Sequence, residues 1–129
     1  MPILFKTVAR TNPQNVDAPK RWFPILKTIS QVKEKIVARE IADETTLNPK
    51  EAEMALSQLE KVLIRNLLAS NSVQLGDWGS FRLTCNSEGS DTQKEVNAGK
   101  IKKLNIRFTP GKALTEALKN ATFIPADNL

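Results

Sequence analysis

The sequence contains no histidine, no tyrosine and one cysteine among its 129 residues. The missing histidine removes the commonest general base and the commonest metal ligand. The lone Cys85 excludes an intrachain disulfide and a cysteine-built zinc site, and it indicates a reducing, cytosolic setting. The motifs of phosphate-binding loops, dinucleotide folds, serine hydrolases and zinc proteases are also missing. These absences argue against an enzyme, a metal site, a cofactor and a small-molecule substrate.

Long apolar runs are missing as well. No stretch is long enough to cross a bilayer, and the opening MPILFKTVAR lacks the apolar segment of a secretory signal. We therefore expect no membrane partner and a cytoplasmic location. Hydrophobic residues make up 40% of the chain and aromatic residues only 5%. That composition favours one small core built from Leu, Ile, Val and Ala.

Charge is distributed unevenly along the chain, whose formal net charge is +5. Residues 1–39 carry eight Lys or Arg and two acids, a net of +6. Residues 40–99 carry five bases and ten acids, a net of −5, and residues 100–129 carry six bases and two acids, a net of +4. An acidic middle between basic ends favours a basic surface that meets an anionic partner.

The first half of the chain predicts a strand, an arm and two helices. Residues 2–10 favour a strand, and the Pro-rich segment 11–24 favours a loop or an extended arm. Helical spacing of apolar residues predicts a helix over 30–44, with Ser30 as its N-cap. A second helix is expected after Asn48, which is typical of an N-cap. Its apolar face is too broad for one small domain and suggests that a second chain covers it.

In the second half of the chain, apolar residues recur at every second position. This pattern predicts three strands, over Val73–Leu75, Phe81–Cys85 and Ile101–Phe108. The polar stretch 86–99 is expected to form a loop. Cys85 falls on the apolar face, where a small buried hydrophobe is more common than a nucleophile. A last helix is expected over 110–120, with Thr109 as its N-cap. The tail over 122–129 can add an edge strand.

Basic residues alternate with the apolar ones in this hairpin. Arg82, Lys103 and Arg107 fall on the face away from the core, and Lys100 and Lys102 lie at the root of the hairpin. Such a face suits a phosphate backbone, but a solvated outer face explains the same pattern equally well. Lys112 is expected in the first turn of the last helix, where the dipole disfavours a cation. One explanation is an anion bound by free backbone N–H groups beside Lys112, and the other is a lysine that is simply exposed to solvent.

Two segments resemble the HU and integration host factor family of bacterial DNA-binding proteins. VQLGDWGSFRL (73–83) is similar to the family's V-x-L-x-G/D-F/W-G-x-F segment, and IRFTPGKALTEAL (106–118) is similar to its F-x-x-G-K-x-L segment. The openings KTVARTNPQN and APKRWFP are similar to those of longer HU-related proteins of Bacteroidetes. The resemblance covers about residues 29–121, preceded by an extension of residues 1–28.

The resemblance implies an α+β fold and an intertwined homodimer. Two N-terminal helices would form its base, followed by a three-stranded antiparallel sheet with a long β-hairpin and a short C-terminal helix. The implied partner is double-stranded DNA in the nucleoid, bound through phosphate contacts with little dependence on sequence. The positions that could meet DNA within this domain are the following: Arg82, Lys100, Lys102, Lys103, Arg107 and Lys112.

One departure from the family concerns the tip of the hairpin. The family's arm carries an Arg-Asn-Pro tip whose proline intercalates, whereas residues 86–99 contain neither Arg nor Pro and have a net charge of −2, from one Lys and three acids. We therefore expect no intercalating residue. The basic extension can supply contacts instead, from Lys6, Arg10, Lys20, Arg21 and Lys27. The alternative is a dimeric protein-interaction module that has lost DNA binding.

Overall fold

A computed structural model describes residues 1–126 of the chain. Within these residues the fold is α+β, with three α-helices and two three-stranded sheets. The elements are β1 (Ile3–Arg10), β2 (Arg21–Leu26), α1 (Glu34–Glu44), α2 (Pro49–Leu68), β3 (Val73–Leu75), β4 (Gly79–Ser87), β5 (Ile101–Pro110), α3 (Lys112–Lys119) and β6 (Phe123–Pro125). None of the described helices combines the length and the apolarity that crossing a membrane requires.

The chain divides into two compact units. The first unit comprises Met1–Val32 and the chain from Ala117 onward, and the second comprises Lys33–Glu116. The first unit contains the sheet β2-β1-β6, in which β1 pairs antiparallel with β2 and parallel with β6. The second unit contains α1, α2 and the sheet β3-β4-β5, whose strands are all antiparallel.

The first sheet confirms two predictions and corrects a third. The strand expected over 2–10 is β1, and the edge strand expected over 122–129 is present as β6, while 127–129 lie outside the described residues. The loop expected over 11–24 is wrong at its end, because a strand begins at Arg21. Residues 21–26 pair along their length with β1, and Pro24 is tolerated because β2 is an edge strand, where a missing donor faces no partner.

The second helix begins where the sequence predicts. Asn48 accepts a hydrogen bond from the Glu51 N–H at 2.8 Å, and Pro49 occupies the first turn. The first helix begins at Glu34, so the prediction of a start at Ser30 is wrong. Ile29 and Val32, which carry the helical spacing at that end, are 78% and 56% exposed, so no apolar packing stabilises an additional turn there.

The two helices contact each other through small side chains. Ala38 of α1 and Ala52 of α2 are each 1% exposed, and Ser57 donates a hydrogen bond to Glu34 at 3.3 Å. Among residues 1–126 the buried hydrophobic side chains are only Leu4, Ala38, Ala52 and Leu67. The other apolar residues of α2 are half-buried or exposed, including Met54, Ile64 and Leu68.

Helix α2 ends in a Schellman motif with an unusual residue. Ser70 has a φ of 70°, a conformation that normally requires glycine. The Ser70 N–H donates to the Leu67 carbonyl at 3.1 Å, and the Asn71 N–H donates to the Asn66 carbonyl at 3.0 Å. These two bonds satisfy carbonyls that the end of the helix would leave without partners, and they turn the chain toward β3.

The long hairpin confirms the predicted alternation. Phe81 lies opposite Phe108, Leu83 opposite Ile106, and Arg82 opposite Arg107. Strand β5 runs two residues further than predicted, because Pro110 still pairs with Gly79. The predicted start of the last helix with Thr109 as N-cap is therefore wrong, and α3 begins at Lys112.

The segment that joins β3 to β4 is a tightly built corner. Gly76 has a φ of 59°, which favours glycine, and the chain from β5 folds back onto the residues that follow. The Gly111 N–H donates to the Trp78 carbonyl and the Ala113 N–H to the Asp77 carbonyl, each at 2.9 Å. The corner therefore joins the turn before β4 to the start of α3.

Candidate nucleic-acid interface

The polar face of the β4–β5 hairpin carries the predicted basic residues in defined rows. The register places Ser80 opposite Thr109, Arg82 opposite Arg107, Thr84 opposite Asn105 and Asn86 opposite Lys103. All eight side chains belong to one face because successive strand residues alternate between faces. Three of them are basic and none is acidic, so this face, hereafter the basic face, has a net positive charge.

Arg82 and Arg107 form the centre of the basic face. They are directly opposite in an antiparallel pair, and like charges in that arrangement destabilise a sheet. Both are exposed, and neither has an ion-pair partner among the described residues. An anion that binds both guanidinium groups would relieve their repulsion. The planar guanidinium group of Arg can donate two parallel hydrogen bonds to one phosphate.

Lys100, Lys102 and Lys103 lie at the loop end of the hairpin, so the expectation that Lys100 and Lys102 lie at its root is wrong. Lys103 lies on the basic face opposite Asn86, and the register shifts by one residue immediately beyond this pair. The shift is a β-bulge at Lys102. Lys102 forms an ion pair with Glu88, with Nζ and Oε1 3.3 Å apart. Lys100 ends a short 3-10 turn, and its carbonyl accepts the Glu88 N–H at 2.9 Å.

The bulge also decides the position of Ile101. Simple alternation from Leu104 would put Ile101 on the basic face, but the shifted register places it opposite Ser87. Ser87 shares the apolar face with Cys85 and Leu83, so Ile101 extends the apolar face toward the end of the hairpin. Sequence alternation alone does not show this because it assumes an unbroken ladder.

The end of the hairpin, residues 88–100, is hereafter the arm tip. It is polar as predicted, and it contains two short 3-10 turns, Gln93–Glu95 and Ala98–Lys100. Asn97 accepts the Gly99 N–H at 2.9 Å and so holds the second turn. The acids of the arm tip are Glu88, Asp91 and Glu95. The arm tip thus adds negative charge next to the basic face.

Lys112 is the first residue of α3 and is exposed, as the sequence predicts for a first-turn lysine. The accompanying hypothesis of free N–H groups is wrong for its two neighbours. Gly111 donates to Trp78 and Ala113 donates to Asp77 within the corner. These two N–H groups are therefore not available to an anion beside Lys112, which makes the start of α3 a poor anion-binding site.

Lys20 and Arg21 lie in the first unit, where β2 begins. Arg21 stands opposite Arg10 of β1, which makes a second pair of opposed arginines. Both guanidinium groups lie over the ring of Phe23, with Cζ 5.7 Å from its centroid for Arg10 and 5.9 Å for Arg21. Sequence reasoning noted the charge of these residues but missed their pairing and the role of Phe23, since only the strand register brings them together.

The opposite face of the hairpin is apolar and largely uncovered. Cys85 is exposed, which corrects the expectation of a buried hydrophobe, and its cross-strand neighbour Leu104 is 57% exposed. Ile106 is 66% exposed. Nearer the corner, the rings of Phe81, Phe108 and Trp78 form a cluster with centroids 5.0 to 6.1 Å apart. Cys85 is exposed because none of the described residues covers the middle of that face.

Solved structures with the same fold include two bacterial proteins. One, from Bacteroides vulgatus ATCC 8482, is provisionally described as a DNA-binding protein; it aligns with a TM-score of 0.67 at 18% identity over 96% of this chain and 47% of its own. This chain thus spans about half the length of that protein. The other is HU of Anabaena in a cocrystal with DNA, with a TM-score of 0.55 at 16% identity over 69% of this chain and 99% of HU.

Sequence comparisons give a family but no individual relative. A search of curated proteins finds no match to this chain. The profile of the HU-HIG family, described as an HU domain fused to a winged helix-turn-helix, an immunoglobulin-like or a glycine-rich motif, matches residues 1–125. The match includes both strands of the extension, the three helices, the hairpin with its basic face, and β6. This chain belongs to the HU-HIG family.

Proposed function

We propose that this protein is an architectural DNA-binding protein that acts as a homodimer and contacts duplex DNA through the basic face. The partner is double-stranded DNA, and the contacts go to phosphates, so binding depends little on sequence and strongly on salt. The observation that carries the proposal is the opposed pair of Arg82 and Arg107 without an acidic partner among the described residues.

The basic face supports phosphate contact for a geometric reason. Cross-strand neighbours lie about 5 Å apart, so Arg82 and Arg107 present two forks of donors within reach of one phosphate or two adjacent ones. Lys103 adds a third cation on the same face, near the bulge. Lys100, Lys102 and Lys112 are the remaining candidates, and Lys102 becomes available only when it separates from Glu88.

A homodimer is supported by apolar surface that one chain leaves uncovered. Leu104 and Ile106 of the hairpin and Met54, Ile64 and Leu68 of α2 are all exposed, and all belong to the second unit. Exposed apolar surface of this extent is typical of a face covered by another subunit. HU of Anabaena, whose fold this chain shares, was crystallised with DNA, and the same class of partner suits the basic face here.

The arm tip of this protein differs in sequence from an arm that intercalates into DNA. No proline lies within residues 86–99, and the acids Glu88, Asp91 and Glu95 would repel a phosphate backbone. We infer that the arm tip does not insert between base pairs. The basic extension, residues 1–28, accompanies an HU-like domain over 29–129, and the protein acts in the cytoplasm, in the nucleoid, without catalysis.

A titration with duplex DNA tests this proposal. A fluorescently labelled random-sequence duplex is titrated with the full chain at about 50 and 200 mM salt, a range in which phosphate contacts lose much of their strength. We expect binding at low salt and a steep loss at higher salt. The double variant R82Q/R107Q should bind the duplex about tenfold more weakly, with a shallower slope of log K against log salt.

The acidic arm tip and its Glu88–Lys102 ion pair favour one alternative, a dimeric protein-interaction module without DNA binding. The same titration separates the two functions. A dimer that fails to bind duplex at low salt, even at about 10 µM, would support the interaction module, because nonspecific DNA binders register by that concentration.

A further inference from the structure

We propose that the first unit contains a second phosphate-binding site, formed by Arg10, Arg21 and Phe23 at the end of the β1–β2 pair. The site would hold a phosphodiester group of the same duplex, so the inference rests on the proposed DNA binding. It assigns a nucleic-acid contact to the extension that precedes the helices.

The two arginines are brought together by strand register. Arg10 is the last residue of β1, Arg21 is the first of β2, and the two are directly opposite in the antiparallel pair. Ten residues lie between them in the sequence, yet their backbones are paired. The intervening segment is folded into turns, with the Asn15 N–H donating to the Asn12 carbonyl at 3.2 Å and the Ala18 N–H to the Asn15 carbonyl at 3.1 Å.

The shared aromatic ring pre-orients both guanidinium groups. Phe23 is two residues from Arg21 on the same strand face, and diagonal to Arg10. The cation–π distances of 5.7 and 5.9 Å hold both groups beside one ring. Side chains fixed in this way lose less conformational freedom when they bind a ligand. The ring therefore favours binding of an anion without contributing charge.

The charge at this place lacks a counterion. Residues 1–32 contain five Lys or Arg and one acid, Asp17. Among the described residues the ion pair that forms is between Lys102 and Glu88, so neither Arg10 nor Arg21 is neutralised by a carboxylate there. Opposed like charges cost stability in a sheet. Binding an anion between them would convert this repulsion into two charge-assisted hydrogen bonds.

A groove beside the pair has room for a phosphate group. It has a volume of about 280 Å³ and is lined by Arg10, Thr11, Asn12, Pro13, Arg21 and Phe23. Asn12 accepts the Gln14 N–H through Oδ1 at 2.9 Å, which leaves its amide N–H groups as further donors. Lys20 precedes Arg21 and adds a cation. The wall of the groove is mostly apolar, so the donors for an oxyanion come from the two guanidinium groups and the Asn12 amide at its edge.

Duplex titrations of four variants test the site. R10Q/R21Q removes both guanidinium groups, and R10K/R21K keeps the charge but removes the planar fork. K33Q/K35Q is the matched control, because it removes two exposed lysine charges that belong neither to the groove nor to the basic face. R82Q/R107Q reports the basic face independently.

We expect R10Q/R21Q to weaken duplex binding by about tenfold at low salt. If each subunit of a dimer holds one phosphate here, the slope of log K against log salt should become shallower by about 1.8. R10K/R21K should also bind more weakly than the unmodified chain. K33Q/K35Q should change binding by less than about threefold. The melting temperature of R10Q/R21Q should change little, since the substitutions remove a repulsion and two exposed cation–π contacts together.

Three results would overturn the inference while leaving the basic face in place. One is R10Q/R21Q binding duplex as tightly as K33Q/K35Q while R82Q/R107Q binds weakly. Another is full binding by R10K/R21K, which would mean that only general charge matters. The third combines two measurements: inorganic phosphate raises the melting temperature of the unmodified chain but not of R10Q/R21Q, and both bind duplex with equal affinity. The groove would then bind a free anion and not DNA. Absence of duplex binding by the unmodified chain would instead refute the proposed function itself.

Discussion

Gly79 lies so close to Phe108 that a β-carbon at position 79 would overlap the phenyl ring. The same β-carbon would lie 3.1 Å from the Thr109 carbonyl oxygen, so it would be confined on two sides. Gly79 is buried and pairs with Pro110, where β5 turns toward α3. The contact therefore joins the corner to the aromatic cluster, and it makes glycine necessary for packing at this position.

Replacing Gly79 with valine should lower the free energy of unfolding by about 3 kcal/mol or more, because the new side chain displaces the Phe108 ring. Urea denaturation and size-exclusion chromatography measure the loss of stability and of assembly. Gly89→Ala is the matched control, since nothing lies within 4 Å of its added β-carbon, and its change should stay within about 0.5 kcal/mol. A stable Gly79→Val dimer that has lost only DNA binding would contradict this structural role.

Replacing Ser70 with glycine should stabilise the protein by up to about 1 kcal/mol. The φ of 70° at the end of α2 strains any residue with a β-carbon, and glycine adopts it freely. Chemical denaturation at matched protein concentration measures the gain. Ser72→Gly serves as the control, because the positive φ belongs to Ser70 and not to Ser72. Equal stabilisation by both substitutions would show that the left-handed conformation is irrelevant.

Replacing Glu88 with glutamine should strengthen duplex binding by roughly threefold at low salt. The substitution frees Lys102 from its ion pair and removes a negative charge from the arm tip. The effect is modest because exposed ion pairs contribute little. Fluorescence anisotropy measures it, and Asp91→Asn is the control that removes the same charge without an ion pair to Lys102. Weaker binding by Glu88→Gln would indicate that the arm tip needs this ion pair to hold the basic face in place.

Replacing Ile106 with aspartate should weaken dimerisation by about a hundredfold, because a charge would be buried on the apolar face of the hairpin. Sedimentation velocity over a range of concentrations measures the change. Val96→Asp on the arm tip is the control, since that residue is similarly exposed, at 59% against 66%, but lies off the apolar face. Unchanged dimerisation by Ile106→Asp would place the subunit contact elsewhere.

Local chemistry explains which elements could be predicted. The start of α2 depends on a side chain that caps an N–H three residues away, so Asn48 and Pro49 suffice to place it. The two faces of the hairpin follow from alternation, which Arg82 and Arg107 share with their apolar neighbours. The sequence does not predict β2 because Pro24 and the Pro-rich segment before it disfavour a strand, although Trp22 and Phe23 favour one; pairing with β1 decides the outcome.

The residues of the candidate site, too, are only partly predictable from the sequence. The sequence indicated that Arg82, Lys103 and Arg107 share a face, but it gave no sign that Lys102 pairs with Glu88 across a bulge. It also gave no sign that Arg10 and Arg21 meet over Phe23. Each of these contacts joins residues that are distant in the chain, and a one-residue change in register would remove it.

The sequence by itself therefore determined the family resemblance, the order of most elements, the two faces of the hairpin and the lack of histidine and of the common catalytic motifs, because these depend on residue type and on spacing along the chain. Only the tertiary structure decided which cations face each other, which lysine is neutralised, and that Cys85 is exposed while Gly79 is enclosed by Phe108. Those outcomes depend on strand register and on close packing, which are set between segments and not within them.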